Sequence, residues 1–448
     1  MKKVLILTAN CFFLVFFLAS LSLPGQEIEG RGYELLKKAL DQVSEENITA
    51  TIKTLQGFKT RNLLSEQKAV NFGIGAARRY LIKEFQKIPG LEVVDDGYLL
   101  PKQGSRIVRD TELHNIVAIK KGQARKERII IVNAHYDSIA RSKDGKFNYE
   151  DVNTPAPGAN DDASGVAALL EMARIMAPLE TEATIHFIAF AGEEQGLVGS
   201  TLYAQKMKQL GKNVEAVLTM DMISNVKAGN GYLDSTQVRV FSDDPNDSPS
   251  RELARYVKRI AEWVYPEFEV NLIFRADRFG RGGDHIPFVL EGFPGIRFTE
   301  ARENYSNQHT TSDTLENLSV PYCAEVTRVV LASLLSLACA PEAPQVTNEH
   351  GAPLLGRGQG YEAELRWKWE GDKGKLAGFK IYQKDTKAPF WKQGYFVGRV
   401  DSFTWPNVSI DDRTFGVSAV GTNGLESLIS VYRQPPHRRL EYTFQEIK

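Results

Sequence analysis

The sequence predicts an α/β fold, a mostly parallel mixed sheet flanked by helices, with a small β-sandwich at its C-terminal end. Two observations lead there. Through the middle of the chain, short and strongly apolar runs alternate with segments of helical periodicity, the pattern of strands joined by crossover helices. After Cys339 the alternation stops, and a Pro/Gly-rich stretch gives way to short strand-like runs separated by turn residues. The 448 residues suit two or three domains at about 150 residues each.

Taken in order, the first 22 residues, MKKVLILTANCFFLVFFLASLS, carry two lysines, an apolar stretch and then small residues. This is the form of a secretory signal peptide, so the protein is expected to be exported, periplasmic or extracellular, with no stable membrane span once the leader is removed. YELLKKALDQV and the segment with Leu81, Phe85 and Ile88 have helical spacing and precede the sheet. Strands are then expected at NIVAIKKG, RIIIVNAH, TIHFIAFAG, AVLTMDMI and GIRFTE. Helices are expected at 163–177, 198–210, 251–264 and 320–338. Cys323 and Cys339 stand 16 residues apart in the last of these, on nearly opposite faces, so no bridge is expected between them. Residues 341–360 read as a linker, and 361–435 as a β-sandwich with strands at YEAELRWKW, GFKIYQK, YFVGRV, SFTWP, FGVSAVG and LISVYR. That segment resembles a fibronectin type III module. No catalytic constellation appears in it, so it is expected to be removable without loss of small-substrate chemistry, and to contact a surface or another protein.

A formal net charge of -1 leaves no basic excess to pair with phosphates, which argues against nucleic acid as a partner. The polar residues that interrupt the apolar runs are more informative. His135 closes IIIVNAH, with Asp137 two residues on, a plausible imidazole ligand and a carboxylate to orient it. Asp161 and Asp162 precede an apolar helix whose N-terminus favours negative charge; either can be an ordinary cap, and a carboxylate there can also bridge two cations. Glu193 and Glu194 follow the strand IHFIAF, where adjacent acids repel unless a cation or proton neutralises them; one should bind metal and the other move protons. Asp221 ends the apolar run AVLTM, and His309 lies in a polar loop. In an open α/β sheet such positions fall at the carboxyl ends of strands, where ligands bind. Carboxylates with imidazoles and no thiolate favour zinc or a similar divalent ion.

Together and in order, AHYDS, GANDDASG, FAGEEQGLVGS, MDMI and the late histidine resemble the secreted two-zinc aminopeptidases that include the bacterial leucyl aminopeptidases, over about residues 110–340. The resemblance implies a zinc exopeptidase domain over 27–340 that binds two Zn2+ ions and acts on peptide substrates. One zinc is then held by His135, Asp161 and Asp221, and the other by Asp161, Glu194 and His309. It further implies that Glu193 is the general base, that Asp137 orients His135, and that Asp162 follows a strained peptide. One departure is Gln308, where the family often has an oxyanion-stabilising Tyr; Tyr305 is the candidate substitute. GRGGDHIPFVLEGFPG resembles the segment lining the specificity pocket, making Asp284 and His285 candidate substrate contacts. Arg275, Arg278 and Arg281 could meet a peptide carboxylate or form a solvated face. The loop 141–159 is long and is expected to wall the cleft. The alternatives are a carboxypeptidase or a glutaminyl cyclase-like enzyme of the same fold, and a non-catalytic binding protein with a degenerate site.

Overall fold

The computed structural model describes residues 24–434, apart from 143, 244 and 359, together with 443. The leader-like residues 1–22 and position 435 lie outside them. Three helices come first, α1 (Pro24–Leu40), α2 (Glu45–Gly57) and α3 (Gly73–Gln86). Then follow β1 (Glu92–Leu100), β2 (Thr111–Lys120), β3 (Arg125–His135), α4 (Ser164–Met176), β4 (Ala183–Phe190), α5 (Val198–Gln209) and β5 (Asn213–Met220). The α/β part closes with β6 (Gln237–Phe241), α6 (Pro249–Val264), β7 (Glu269–Ile273), α7 (His285–Leu290), β8 (Gly295–Glu300) and α8 (Val320–Cys339).

The eight strands form one sheet in the order β1-β2-β4-β3-β5-β8-β6-β7. Its centre, β4-β3-β5-β8, is parallel, whereas β1 and β2 on one side and the β8–β6 pairing on the other are antiparallel. The central strands are buried on both faces, which is why they read as continuous apolar runs. The sequence reading did not anticipate β1, β6 and β7: they are short or carry charged, half-exposed residues, so neither a continuous run nor a clean alternation marks them. Three helices begin where serine can cap them, α2 among them with Ser44 accepting the N–H of Asn47 at 3.2 Å. Ser248 Oγ accepts the N–H of Arg251 at 3.1 Å ahead of α6, and Ser319 does the same for Tyr322 ahead of α8. By length and composition α8 could cross a membrane, but 89% of its apolar window is buried inside the protein, making it the central core helix. Cys323 and Cys339 on it are buried and free.

Seven short strands follow, β9 (Leu355–Gly356), β10 (Glu362–Arg366), β11 (Leu376–Asp385), β12 (Tyr395–Gly398), β13 (Ser402–Pro406), β14 (Arg413–Gly421) and β15 (Ser430–Val431). They build a three-stranded sheet, β13-β10-β9, and a four-stranded sheet, β12-β11-β14-β15, both antiparallel. Leu365 and Trp367 pack across from Phe379, Ile381, Phe415 and Val417, so the two sheets share one core as a sandwich.

Two features run against the expectation of a tethered, removable module. Residues 341–360 contain β9 and bridges such as Gln345 to Lys368, so much of that stretch is built into the sandwich. The β14–β15 loop inserts Leu425, fully buried, into the hydrophobic core of the α/β part. Beside it the buried Glu426 carboxylate accepts from Arg259 of α6 at 2.7 Å, and the Tyr256 hydroxyl donates to the Glu426 carbonyl at 2.9 Å. Gly424, with φ +82, lies so close to Gly32 of α1 that a Cβ on Gly32 would stand 2.8 Å from the Gly424 carbonyl oxygen.

Candidate metal centre

Because β3, β4, β5 and β8 run parallel, their carboxyl ends share one sheet edge, and the loops that leave them carry the polar residues of the centre. His135 is the last residue of β3, Glu193 and Glu194 follow β4, and Asp221 follows β5. Asp161 and Asp162 lie in the tight turn Ala159–Ala163 before α4, and His309 in the loop after β8. The Asp161–Asp162 peptide is cis. Leu197, Met222 and His309, each beside this centre, are non-glycine residues with φ between 56 and 61. Each such conformation costs roughly 1–2 kcal/mol and persists only where surroundings impose it.

The structure brings five of these residues together: His135, Asp161, Glu194, Asp221 and His309. His135 Nε2 lies 3.0 Å from Asp161 Oδ1 and 3.7 Å from Asp221 Oδ1. His309 Nε2 lies 3.0 Å from Asp161 Oδ2 and 3.2 Å from Glu194 Oε1. The two oxygens of Asp161 thus face two separate ligand sets. Asp162 also falls within 4.8 Å of His135 and Asp221, but its oxygens are already engaged. They accept the backbone N–H groups of His135 at 3.2 Å, Gly165 at 3.0 Å and Met222 at 3.1 Å, which ties three loops together. By contrast His135 Nε2, Asp221 Oδ1 and Glu194 Oε1 are buried without a hydrogen-bond partner. Buried lone pairs of this kind, nitrogen and oxygen donors converging from several strands, fit a divalent cation.

The electrostatics agree with that fit. Burial opposes charge on Asp161, yet His135 and His309 hold its carboxyl well below the ordinary range. Burial, reinforced by the charges of Glu194 and Asp221, pushes Glu193 well above it. The Glu193 carboxylate lines a cavity of about 620 Å³ whose floor also includes Asp161, Glu194, Asp221 and His309. Asp137 is fully buried and accepts the N–H groups of Glu193 at 3.3 Å and Glu194 at 3.2 Å, while Oδ1 lies 3.5 Å from His135 Nδ1. Asp137 thereby fixes the glutamate turn through its carboxylate and the histidine through its carbonyl, 3.2 Å from Nδ1.

The candidate substrate residues divide. Tyr305 lies on the cavity wall and is 65% exposed. Asp284 and His285 are buried outside the cavity lining, so they are not positioned for direct substrate contact. Nε2 of His285 is bound to the Ala276 carbonyl at 2.7 Å, and burial pushes Asp284 up to about 7. Gln308 donates its side-chain amide to Asp161 Oδ2 at 2.9 Å.

Several supporting residues escaped the sequence reading. Arg297 of β8, fully buried, lies 3.0 Å from Asp221 Oδ2 and 3.1 Å from Asp277. Asp313 accepts the N–H groups of Asn160 and Asp161 at 2.8 and 3.1 Å, and Glu300 accepts from Asn160 Nδ2 at 2.9 Å. Arg61 donates to the carbonyls of Tyr136, Pro157 and Gly158 and holds the strap that leads into the aspartate turn. A basic and an acidic residue inside the otherwise apolar run GIRFTE was the signal available for Arg297 and Glu300. For Arg61 and Asp313 the sequence offers none.

Comparison with known proteins agrees with this geometry. Residues 115–334 match the model of peptidase family M28. A probable zinc metalloprotease of the fungus Leptosphaeria maculans is 35% identical over 427 residues, covering 88% of this chain and 96% of that protein. The chain belongs to peptidase family M28. A second relative, from Pyricularia oryzae and also described as a probable zinc metalloprotease, is 37% identical over 432 residues, covering 88% of this chain and 83% of its own. Matches of this length extend beyond the α/β part into the sandwich. The same M28 fold is found in the Legionella pneumophila aminopeptidase LapA, with TM-score 0.52 and 21% identity over 67% of this chain and 75% of that one. It recurs in a Porphyromonas gingivalis glutaminyl cyclase, with TM-score 0.52 and 18% identity over 65% of this chain and 98% of that one.

Proposed function

We propose that this M28 chain is an exported zinc-dependent exopeptidase that hydrolyses N-terminal residues from peptides. The supporting observation is the Asp161 carboxylate with its two oxygens facing two ligand sets, in which His135 Nε2, Asp221 Oδ1 and Glu194 Oε1 are buried without a hydrogen-bond partner, beside Glu193 on the cavity lining. His135, Asp161 and Asp221 would hold one zinc ion, and Asp161, Glu194 and His309 the other. Two such ions supply Lewis-acid polarisation of a carbonyl and acidify a water to a pKa of roughly 7.

The chain's own residues do the rest. Glu193 takes the proton of the attacking water and returns it to the departing amine, a role open to it because it lines the cavity and belongs to neither ligand set. Asp137 keeps Glu193 aimed by holding its backbone N–H. Tyr305 on the wall is the candidate for steadying the developing oxyanion, since Gln308 is committed to Asp161. The leader-like first 22 residues support export, and the three-plus-four antiparallel arrangement supports a fibronectin type III-like reading of the sandwich.

The test is hydrolysis of aminoacyl chromogenic substrates before chelation, after it, and after zinc is returned. Activity that is lost and restored is the expected result. Activity on blocked but not free N-termini would overturn the aminopeptidase assignment.

A further inference from the structure

The cavity at the candidate centre is lined by basic as well as acidic side chains. Four arginines line it: Arg106, Arg141, Arg278 and Arg281. Two are paired with carboxylates within the protein. Arg278 pairs with Asp277 at 3.0 Å and Glu303 at 3.1 Å, and Arg281 with Glu303 at 2.8 Å. Arg275, the third arginine of that segment, is outside the lining and lies over the ring of Phe279.

Arg106 and Arg141 differ. Among the described residues neither has a carboxylate partner. Each guanidinium lies over an aromatic face instead, Arg106 at 5.7 Å from the Tyr149 ring centroid and Arg141 at 5.0 Å from that of Phe147. These two rings stack on each other at 6.1 Å, and Phe147 meets the His309 ring edge-on at 5.2 Å. The backbone N–H of Arg141 donates to the His309 carbonyl at 2.8 Å. On the other side, a terminal nitrogen of Arg106 lies 3.7 Å from where a Cβ would stand on Gly196, two residues beyond Glu194. The pair therefore adjoins both of the turns that carry the chemistry.

Stacking covers one face of a guanidinium and restrains its plane while leaving the N–H fork open at the edge. Two restrained cations with no carboxylate within pairing distance, beside a site for peptides, match an anion that the peptide itself brings. On the exopeptidase reading above, we propose that Arg106 and Arg141 form a carboxylate-recognising subsite and that the preferred substrates carry a carboxylate close to the scissile bond. That carboxylate comes from one of two sources, the free C-terminus of a very short peptide or an Asp or Glu side chain.

The full-length protein would be assayed on three peptides: Leu-Gly amide as the neutral reference, Leu-Gly with a free C-terminus, and Leu-Asp amide. The quantity read is the ratio of kcat/KM for each carboxylate peptide to the reference. It does not depend on the fraction of enzyme that is folded. We expect at least one ratio to be about 10–100 in the wild type, the worth of a charge-assisted hydrogen bond or two. The R106Q and R141Q variants, separately and combined, should bring that ratio toward one, chiefly through KM. A raised ratio for Leu-Gly alone identifies the C-terminus as the source, and for Leu-Asp amide alone the side chain. Wild-type ratios near one, or raised ratios that survive both substitutions, overturn the subsite while leaving the exopeptidase reading in place. No cleavage of any of the three peptides overturns both.

Discussion

Glu193 separates ligand chemistry from proton transfer at a single position. It lines the cavity, its backbone is fixed by Asp137, and its carboxylate makes neither of the two close ligand sets around Asp161. Glu193→Gln should therefore keep its metal content, measured by atomic absorption, while kcat falls by about 10²–10⁴-fold. Metal lost along with activity would exchange the roles of Glu193 and Glu194. At this scale the sequence disclosed the residues whose type is conspicuous where it stands: an imidazole or acid that ends an apolar run has few uses other than as a cap, a ligand or a proton carrier. Residues that act through others were hidden. Asp313 looks like any loop aspartate until its two oxygens are found on the N–H groups of Asn160 and Asp161. Asp284 and His285 were singled out by the resemblance of their segment to a family pocket segment, yet both are buried outside the cavity lining.

Among the elements, β4 packs against α5 through a second, smaller core in which His186 Nδ1 meets the Tyr203 hydroxyl at 2.8 Å. Burial, and then the charge of Lys212, depress His186 to about 4, so it is neutral in the folded protein at pH 7. An unfolded histidine titrates near 6.5. The unfolded chain consequently binds the extra proton first as pH falls. Stability that is complete above about 6.5 should decline down to about 4, by up to roughly 3 kcal/mol from this group. His186→Gln keeps a hydrogen-bonding partner for Tyr203 and cannot titrate. Denaturant melts at pH 7 and pH 4.5 should show a smaller loss in the variant than in the wild type, and an equal loss would place the sensitivity elsewhere. The central strands and their crossover helices were legible because burial on both faces leaves long apolar runs. The strands β1, β6 and β7 were not, since residues facing solvent break the pattern without imposing another.

For the whole molecule, the sandwich is clasped to the α/β part instead of hanging from it. Leu425 sits in the larger core, Glu426 is bound by Arg259, and Trp391 Nε1 donates to Glu252 of α6 at 2.7 Å. Ending the chain after Gln345 should therefore lower the unfolding temperature and expose apolar surface to a dye such as ANS. The single change Leu425→Ala should cost about 2–5 kcal/mol, the range for emptying a buried leucine site. A truncated protein with the parent's melting temperature would mean that the clasp contributes nothing. Composition marked where the second module begins, but a lone leucine in a turn gave no sign that it belongs to the other core. The close approach of Gly32 and Gly424 also has a bearing on biosynthesis. A ribosome delivers α1 almost 400 residues before its partner turn, so this contact waits until the turn at Gly424 has been made, and a chain stopped ahead of it leaves that helix without its mate.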